Sequence, residues 1–189
     1  MTRSLVSALA LAIVPHMAFA SDFDSAMQTF VDENASAWLQ SEVLISAITN
    51  QNQDTGSFDA TMIETLDTQW RSEVGSASEL IDGVLINSAA DFLRERVAES
   101  NGQITEVFVM DALGLNVAAS GATSDYWQGD EDKFQKTFPM GAGATHFSEV
   151  EFDESSQTYQ AQISITIADP ATQSPIGAIT IGIDAESLM

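Results

Sequence analysis

The spacing of apolar residues changes at Asn101-Gly102, and this change most limits what the chain can fold into. Before it, apolar side chains recur every three to four residues, the spacing of one helix face. Phe23, Met27, Phe30, Val31 and Trp38 begin the series, and Leu39, Val43, Leu44, Ala47 and Ile48 continue it. They predict one long helix over about 22–52, capped by Ser21 or Asp22 and closed by the polar run NQNQDTGS. Met62, Ile63, Leu66, Trp70 and Val74 predict a second helix over about 59–73. Leu85, Ile86, Ala89, Phe92, Leu93 and Val97 predict a third over about 85–99, ended by Gly102 in a position that suits a left-handed residue.

After Gly102 the period falls to two. ITEVFVMD and LNVAAS are strands rich in β-branched residues, and Asp111-Ala112-Leu113-Gly114 turns one into the other as a hairpin. Asp111 is expected to accept hydrogen bonds inside that turn. A loop over about 122–131 and a short helix near 130–138 follow. ATHFSEVEFD, QTYQAQISITIAD and IGAITIGID are three more strands. Glu154-Ser155-Ser156-Gln157 joins the first two of these, and Asp169 to Pro175 the last two, with both prolines where no ladder hydrogen bond is lost. The expected fold is α+β: a five-stranded antiparallel sheet with the long N-terminal helix packed on it. Residues 21–100 form its helical part and 101–189 its sheet, together one domain.

MTRSLVSALALAIVPHMAFA has the organisation of a secretory signal peptide, with Arg3, an apolar run from Leu5 to Val14, and Ala18 and Ala20 at the cleavage positions. The apolar run is too short for a bilayer of roughly 30 Å. The expected location is therefore the periplasm or the medium, after cleavage at residue 20. Net charge is −22, which disfavours nucleic acid and anionic lipid and steers cationic or basic partners towards the chain. There is no cysteine, so neither disulfides nor thiolate metal sites contribute.

Three stretches together resemble a known module: VFVMDALGLNVAASG, then DYWQGDEDKFQKTF, then YQAQISITIADPATQSPIGAITIGIDAESL. They look like a Cache domain, also called PDC, the PAS-like extracytoplasmic sensor of bacterial chemoreceptors and histidine kinases. The carriers are Asp111-x-x-Gly114 before a strand ending in small residues, and Ile176-Gly177 opening the last strand after a polar connection. The resemblance covers about 101–188 well and the N-terminal helix in outline. It implies a small-molecule ligand over one face of the sheet, a role in signal transduction or chemotaxis, and a dimer through the N-terminal helix. Members are usually followed by a second membrane helix and a signalling domain. This sequence ends at Met189, so the expected partner is a separate membrane receptor or kinase.

The candidate ligand site centres on SDYWQGDEDKF, residues 124–134. Tyr126 and Trp127 offer an aromatic wall, and an ammonium over such a face gains about 0.5–2 kcal/mol. Asp125 and Asp130 would pair with the same cation. The alternative is that Trp127 plugs the end of the sheet as a core residue, and both readings stand at this point. Lys133 and Lys136 could hold a carboxylate or pair with Asp130 and Asp132 on the surface. The ligand is thus an amine, an amino acid or a carboxylate. Alternation along QTYQAQISITIAD puts Ala161, Ile163, Ile165 and Ile167 against the helices and Gln162, Ser164 and Thr166 on a polar, uncharged face, with Gln160 expected in solvent and Tyr159 at the pocket rim. Asp184 is either the aspartate that holds an amino group in amino-acid-binding relatives or the cap of a strand end. Arg71, Arg94 and Arg96 read as surface partners of nearby acids, and Glu149, Glu151 and Asp153 as a solvated, edge-protecting row.

No Gly-x-Ser-x-Gly, phosphate-binding glycine loop or cysteine nucleophile is present, and His146 alone makes no metal site. Binding without catalysis, metal or cofactor is the expectation. Its rival is a ligand-free interaction module pairing through the long helix with a receptor or a second copy. On the sequence alone, Trp127→Ala should abolish ligand binding in calorimetry and leave the circular dichroism spectrum of the fold intact.

Overall fold

The computed structural model describes residues 18–153 and 158–189. The signal-peptide reading of residues 1–20 falls almost wholly outside the described residues, and the turn Glu154 to Gln157 does so entirely. The helical part comprises α1 (Ala18–Phe30), a π-helical turn (Val31–Ala35), α2 (Ser36–Trp38), α3 (Glu42–Thr55), α4 (Ala60–Glu73), α5 (Glu79–Leu85) and α6 (Ser88–Glu99). The sheet comprises β1 (Ile104–Met110), β2 (Asn116–Ala119), β3 (Thr145–Phe147), β4 (Glu151–Asp153), β5 (Thr158–Ala168) and β6 (Pro175–Asp184). Between β2 and β3 lie α7 (Asp132–Gln135) and a 3-10 turn (Phe138–Met140).

All pairings are antiparallel, in the order β2-β1-β6-β5-β3, with β4 continuing along β5. The α+β architecture expected from the sequence is present. The sheet differs in one respect: ATHFSEVEFD is two strands, not one. Three residues, Ser148 to Val150, lie between the last β3 pair, Phe147 with Ile163, and the first β4 pair, Glu151 with Gln160. Only two residues of β5 oppose them, so the segment bulges. Ser148 fills the gap: its Oγ accepts from Gln162 N at 2.7 Å and its own N–H donates to Gln162 O at 2.9 Å.

The long helix over 22–52 is also corrected. Its ladder widens at Val31–Ala35, where the Ser36 hydroxyl donates to Val31 O at 2.9 Å. It then stops, and Ser41 takes an extended conformation (ψ 119°) before α3. Periodicity could not register the break, because Met27, Phe30, Trp38, Leu44 and Ile48 all reach the same core. The polar run NQNQDTGS does not end this helix at 52 either, since α3 runs to Thr55. The third helix starts later than expected, at Ser88, and a further helix, α5, precedes it in a stretch not read as helical. Ser78 caps α5 by accepting from Ile81 N, and Asn87 caps α6 by accepting from Ala90 N. Ile86, read as core, lies in the break and is 73% exposed.

The sheet separates two cores. On one side Ala161, Ile163, Ile165, Ile167, Ile179, Ile181 and Ile183 meet α1, α3 and α6. On the other, Phe108, Met110, Leu115 and Ala178 meet Trp70, Ile81, Val84, Tyr126 and Phe134. The alternation read along β5 therefore holds for its apolar face. Gln160 departs from expectation: it is buried, and its Oε1 accepts from Thr105 Oγ1 at 2.6 Å.

Asp111 joins the helices to the sheet. It has no solvent access and accepts from Leu113 N (2.8 Å) and Leu115 N (3.0 Å), as read for the turn. It also accepts from Thr55 Oγ1 (2.8 Å) and Gln51 Nε2 (3.1 Å) of α3. Asn52 completes the clamp, donating to Ile176 O at 2.7 Å and accepting from Ala112 N at 2.8 Å. Removing a buried acceptor strands its donors at about 1–3 kcal/mol each. Asp111→Ala should therefore lower the free energy of unfolding by about 3 kcal/mol, and Asp111→Asn by less, as read by urea denaturation. A loss below about 1 kcal/mol in the alanine variant would remove Asp111 from this role.

Candidate functional site

The face of the sheet opposite α1, α3 and α6 is apolar at one end and polar at the other. Phe108 and Met110 carry the apolar end, and Gln160, Gln162 and Ser164 the polar one. Over the polar end lies an open cavity of about 630 Å³. Its floor is Gln160, Gln162 and Ser164, and its edge is His146, Phe147 and Ser148 of the β3 bulge. Glu131, Asp132, Lys133 and Lys136 border it from α7, and Glu149, Glu151 and Phe152 from the β4 side.

Each floor side chain is held. Ser164 Oγ lies 3.0 Å from Thr180 Oγ1, and Gln162 Nε2 donates to Glu106 at 3.3 Å. Both lysines are paired: Lys133 with Glu131 at 2.9 Å and with Gln128 Oε1 at 3.3 Å, and Lys136 with Asp132 at 2.7 Å. Lys133 thus pairs with Glu131 and not with Asp130 or Asp132. Its ammonium also stands 5.4 Å from the Phe108 ring centroid. The Lys136 hydrogen bond holds the Asp132 carboxyl below its ordinary pKa. Burial, and next the charge of Lys136, lowers His146 below its ordinary value of 6.5, so its imidazole is neutral at pH 7.

The aromatic pair Tyr126 and Trp127 does not line this cavity. Tyr126 is core: it is buried and stacks on Trp70 with centroids 5.6 Å apart. Burial, and secondarily Asp111, pushes its hydroxyl above the ordinary tyrosine range. Trp127 is half-buried, and its Nε1 donates to Leu113 O at 2.8 Å. The indole therefore supports the hairpin turn, and Trp127→Ala costs stability as well as any binding.

Asp67 organises the loop. It is buried, accepts from Tyr126 N at 3.0 Å and Trp127 N at 3.1 Å, and pairs with Arg71 at 2.7 Å. Arg71 reaches on to Asp125 at 3.3 Å. The sequence reading missed Asp67, although its position was a signal: an acid inside the apolar stripe of Ile63, Leu66 and Trp70 needs partners.

Of the proposed site residues, Lys133 and Gln162 line the sheet-face cavity, while Asp125, Trp127 and Asp130 line a second one beside α4. Tyr159 lines neither; it is 62% exposed and packs edge-on against Phe152. Asp184 is the capping residue of its alternative reading: it accepts from Glu186 N at 2.9 Å at the start of a 3-10 turn (Ala185–Leu188). Arg94 and Arg96 pair with Asp91, Glu95 and Glu99. Among the described residues no group of acids and histidine is arranged to hold a metal ion, and no helix is long and apolar enough to cross a membrane.

No protein-family model matches this chain, and no curated protein matches its sequence. Among solved structures, the chain is similar to Cache-type sensor domains of histidine kinases and chemoreceptors. One is the sensor domain of the V. cholerae histidine kinase DctB, at 11% identity and TM-score 0.46, over 92% of this chain and 56% of that one. Another is the sensory domain of the Campylobacter jejuni chemoreceptor Tlp3 with isoleucine bound, at 13% identity and TM-score 0.42, over 93% and 66%. The chain spans roughly half to two thirds of the length of these relatives.

If Tyr126 is core, truncating it must destabilise the fold. Tyr126→Ala should cost about 3–5 kcal/mol of unfolding free energy. Tyr126→Phe, which keeps the ring against Trp70, should cost under about 1 kcal/mol. Equal, small losses in both variants, measured by thermal and chemical denaturation, would return Tyr126 to the surface.

Proposed function

We propose that this protein is an exported sensor domain that binds a small carboxylate-bearing molecule in the sheet-face cavity and signals through a partner protein. The supporting observation is an uncharged, hydrogen-bonding floor facing Lys133 of α7 and Lys136 at its C-cap, two of the chain's six basic residues. Gln162, which is partly exposed, can donate to and accept from a polar ligand without the cost of desolvating a charge, over a buried Ser164 held by Thr180. Lys133 and Lys136 are both held by acids of their own segment, so a ligand carboxylate has to displace Glu131 and Asp132 or share the ammonium groups with them. Glu149 and Glu151, on the opposite border, suit an amino group, which makes an amino acid a fitting ligand.

The rival reading, pairing through the N-terminal helix, loses most of its surface. Among the described residues, the apolar side chains of α1 to α3 mostly face the sheet, and of the large ones only Val43, at 38%, stays exposed.

Thermal shift and calorimetry against amino acids and dicarboxylates test the proposal. A ligand at one hundred times its dissociation constant should add about 2.7 kcal/mol of stability. Gln162→Ala and Lys136→Ala should each weaken binding about tenfold. Affinity should also depend on pH through His146. The unliganded imidazole is neutral at pH 7, and a bound carboxylate raises its pKa, so binding takes up a proton. Affinity should be flat where the imidazole is neutral in both states, rise as falling pH protonates it in the complex, and level off below its lowered unliganded pKa, and His146→Gln should remove the slope. Absence of stabilisation by every compound, or full affinity in both cavity variants, would overturn the assignment.

A further inference from the structure

Trp127 forms one wall of a second cavity, of about 500 Å³, that shares only Glu131 with the first. Its other wall is one stripe of α4: Ile63, Glu64, Asp67 and Arg71 recur at helical spacing. The volume lies within the range of small-molecule sites.

The indole here is fixed before any ligand arrives. Its Nε1 is already committed to Leu113 O, and its backbone N–H to Asp67. The ring presses on Gly129 so closely that a Cβ there would overlap Nε1. What Trp127 offers to the cavity is therefore π surface and not a hydrogen bond. Ile63 extends this apolar wall.

The charges around it are unbalanced. Five carboxyl groups line the cavity against one guanidinium. That guanidinium, Arg71, is neutralised twice, by Asp67 at 2.7 Å and Asp125 at 3.3 Å. Glu131 has Lys133. The side chains of Glu64 and Asp130, both exposed, have no hydrogen-bond or ion-pair partner among the described residues. An anion entering here would meet excess negative charge and no free cation. An ammonium with an apolar body finds complementary groups in both parts: carboxylates for its head, and the indole and Ile63 for its body.

We propose that this cavity is a second binding site, specific for an organic ammonium ion with an aromatic or alkyl body. Glu64 and Asp130 take the cationic head, and Trp127 and Ile63 take the body. The site is independent of the ligand assigned to the sheet face.

Calorimetry of the whole protein at low ionic strength, with phenethylammonium and its charge-reversed analogue 3-phenylpropionate, tests this. The ammonium should bind at least about tenfold more tightly than the carboxylate at this site, and 0.5 M salt should weaken it several-fold. Glu64→Gln combined with Asp130→Asn should reduce ammonium affinity at least about fivefold with an unchanged melting curve, since neither side chain has a partner to lose. Gln162→Ala, in the first cavity, should leave ammonium affinity unchanged. Undiminished affinity in the double variant, or loss of ammonium binding in Gln162→Ala, would overturn the assignment.

Discussion

The buried side chain of Asp111 is the point from which the rest of the sheet is assembled. Four hydrogen bonds converge on it, two from its own turn and two from α3. A carboxyl group withdrawn from water must be matched by donors, so the turn and the helix cannot be placed independently. The aromatic loop is then laid on this turn. Gln128 N donates to Gly114 O, Asn116 N to Tyr126 O, and the Trp127 indole to Leu113 O. Gly114, with φ of 81°, makes this possible, because its backbone touches that of Gly129 where a side chain would not fit. The segment that borders both cavities thus rests on the turn that Asp111 holds.

Asp67 has the corresponding role on the helical side. It accepts two consecutive loop N–H groups and holds Arg71, which holds Asp125. Trp70, one turn along, donates to Thr123 O and stacks on Tyr126. The loop is therefore clamped between α4 and the hairpin. The face of the loop that stacks inward belongs to the core, and the cavity over the polar end of the sheet lies beyond it.

Much of this was legible in the chain. The change of period at Asn101-Gly102, the hairpin at Asp111 to Gly114 and the apolar face of β5 are local patterns, and the structure has them where the spacing put them. The break at Leu39 to Ser41 was not legible, because apolar residues on either side reach one core and preserve the apparent period; the break at Ile86 was not legible because Leu85 and Ala89 keep helical spacing although they enter different cores. Ser78 and Asn87 were the available signals, since both are good caps within a stretch read as continuous or as linker. The split of ATHFSEVEFD depends on one extra residue and on a serine hydroxyl completing the ladder, which alternation does not encode.

For the candidate site, the sequence determined which chemistry was present: a fixed supply of acids, few cations, and an aromatic pair beside glycine. It could not determine which side chains share a space. Tyr126 and Trp127 are neighbours in the chain, yet one is stacked in the core and the other lines a cavity, because successive side chains of an extended segment point apart. Lys133 and Gln162 are far apart in the chain, yet meet over one face because α7 folds back across β5. Local pattern is set by covalent neighbours, whereas a binding site is set by long-range packing, and only the tertiary structure decides that.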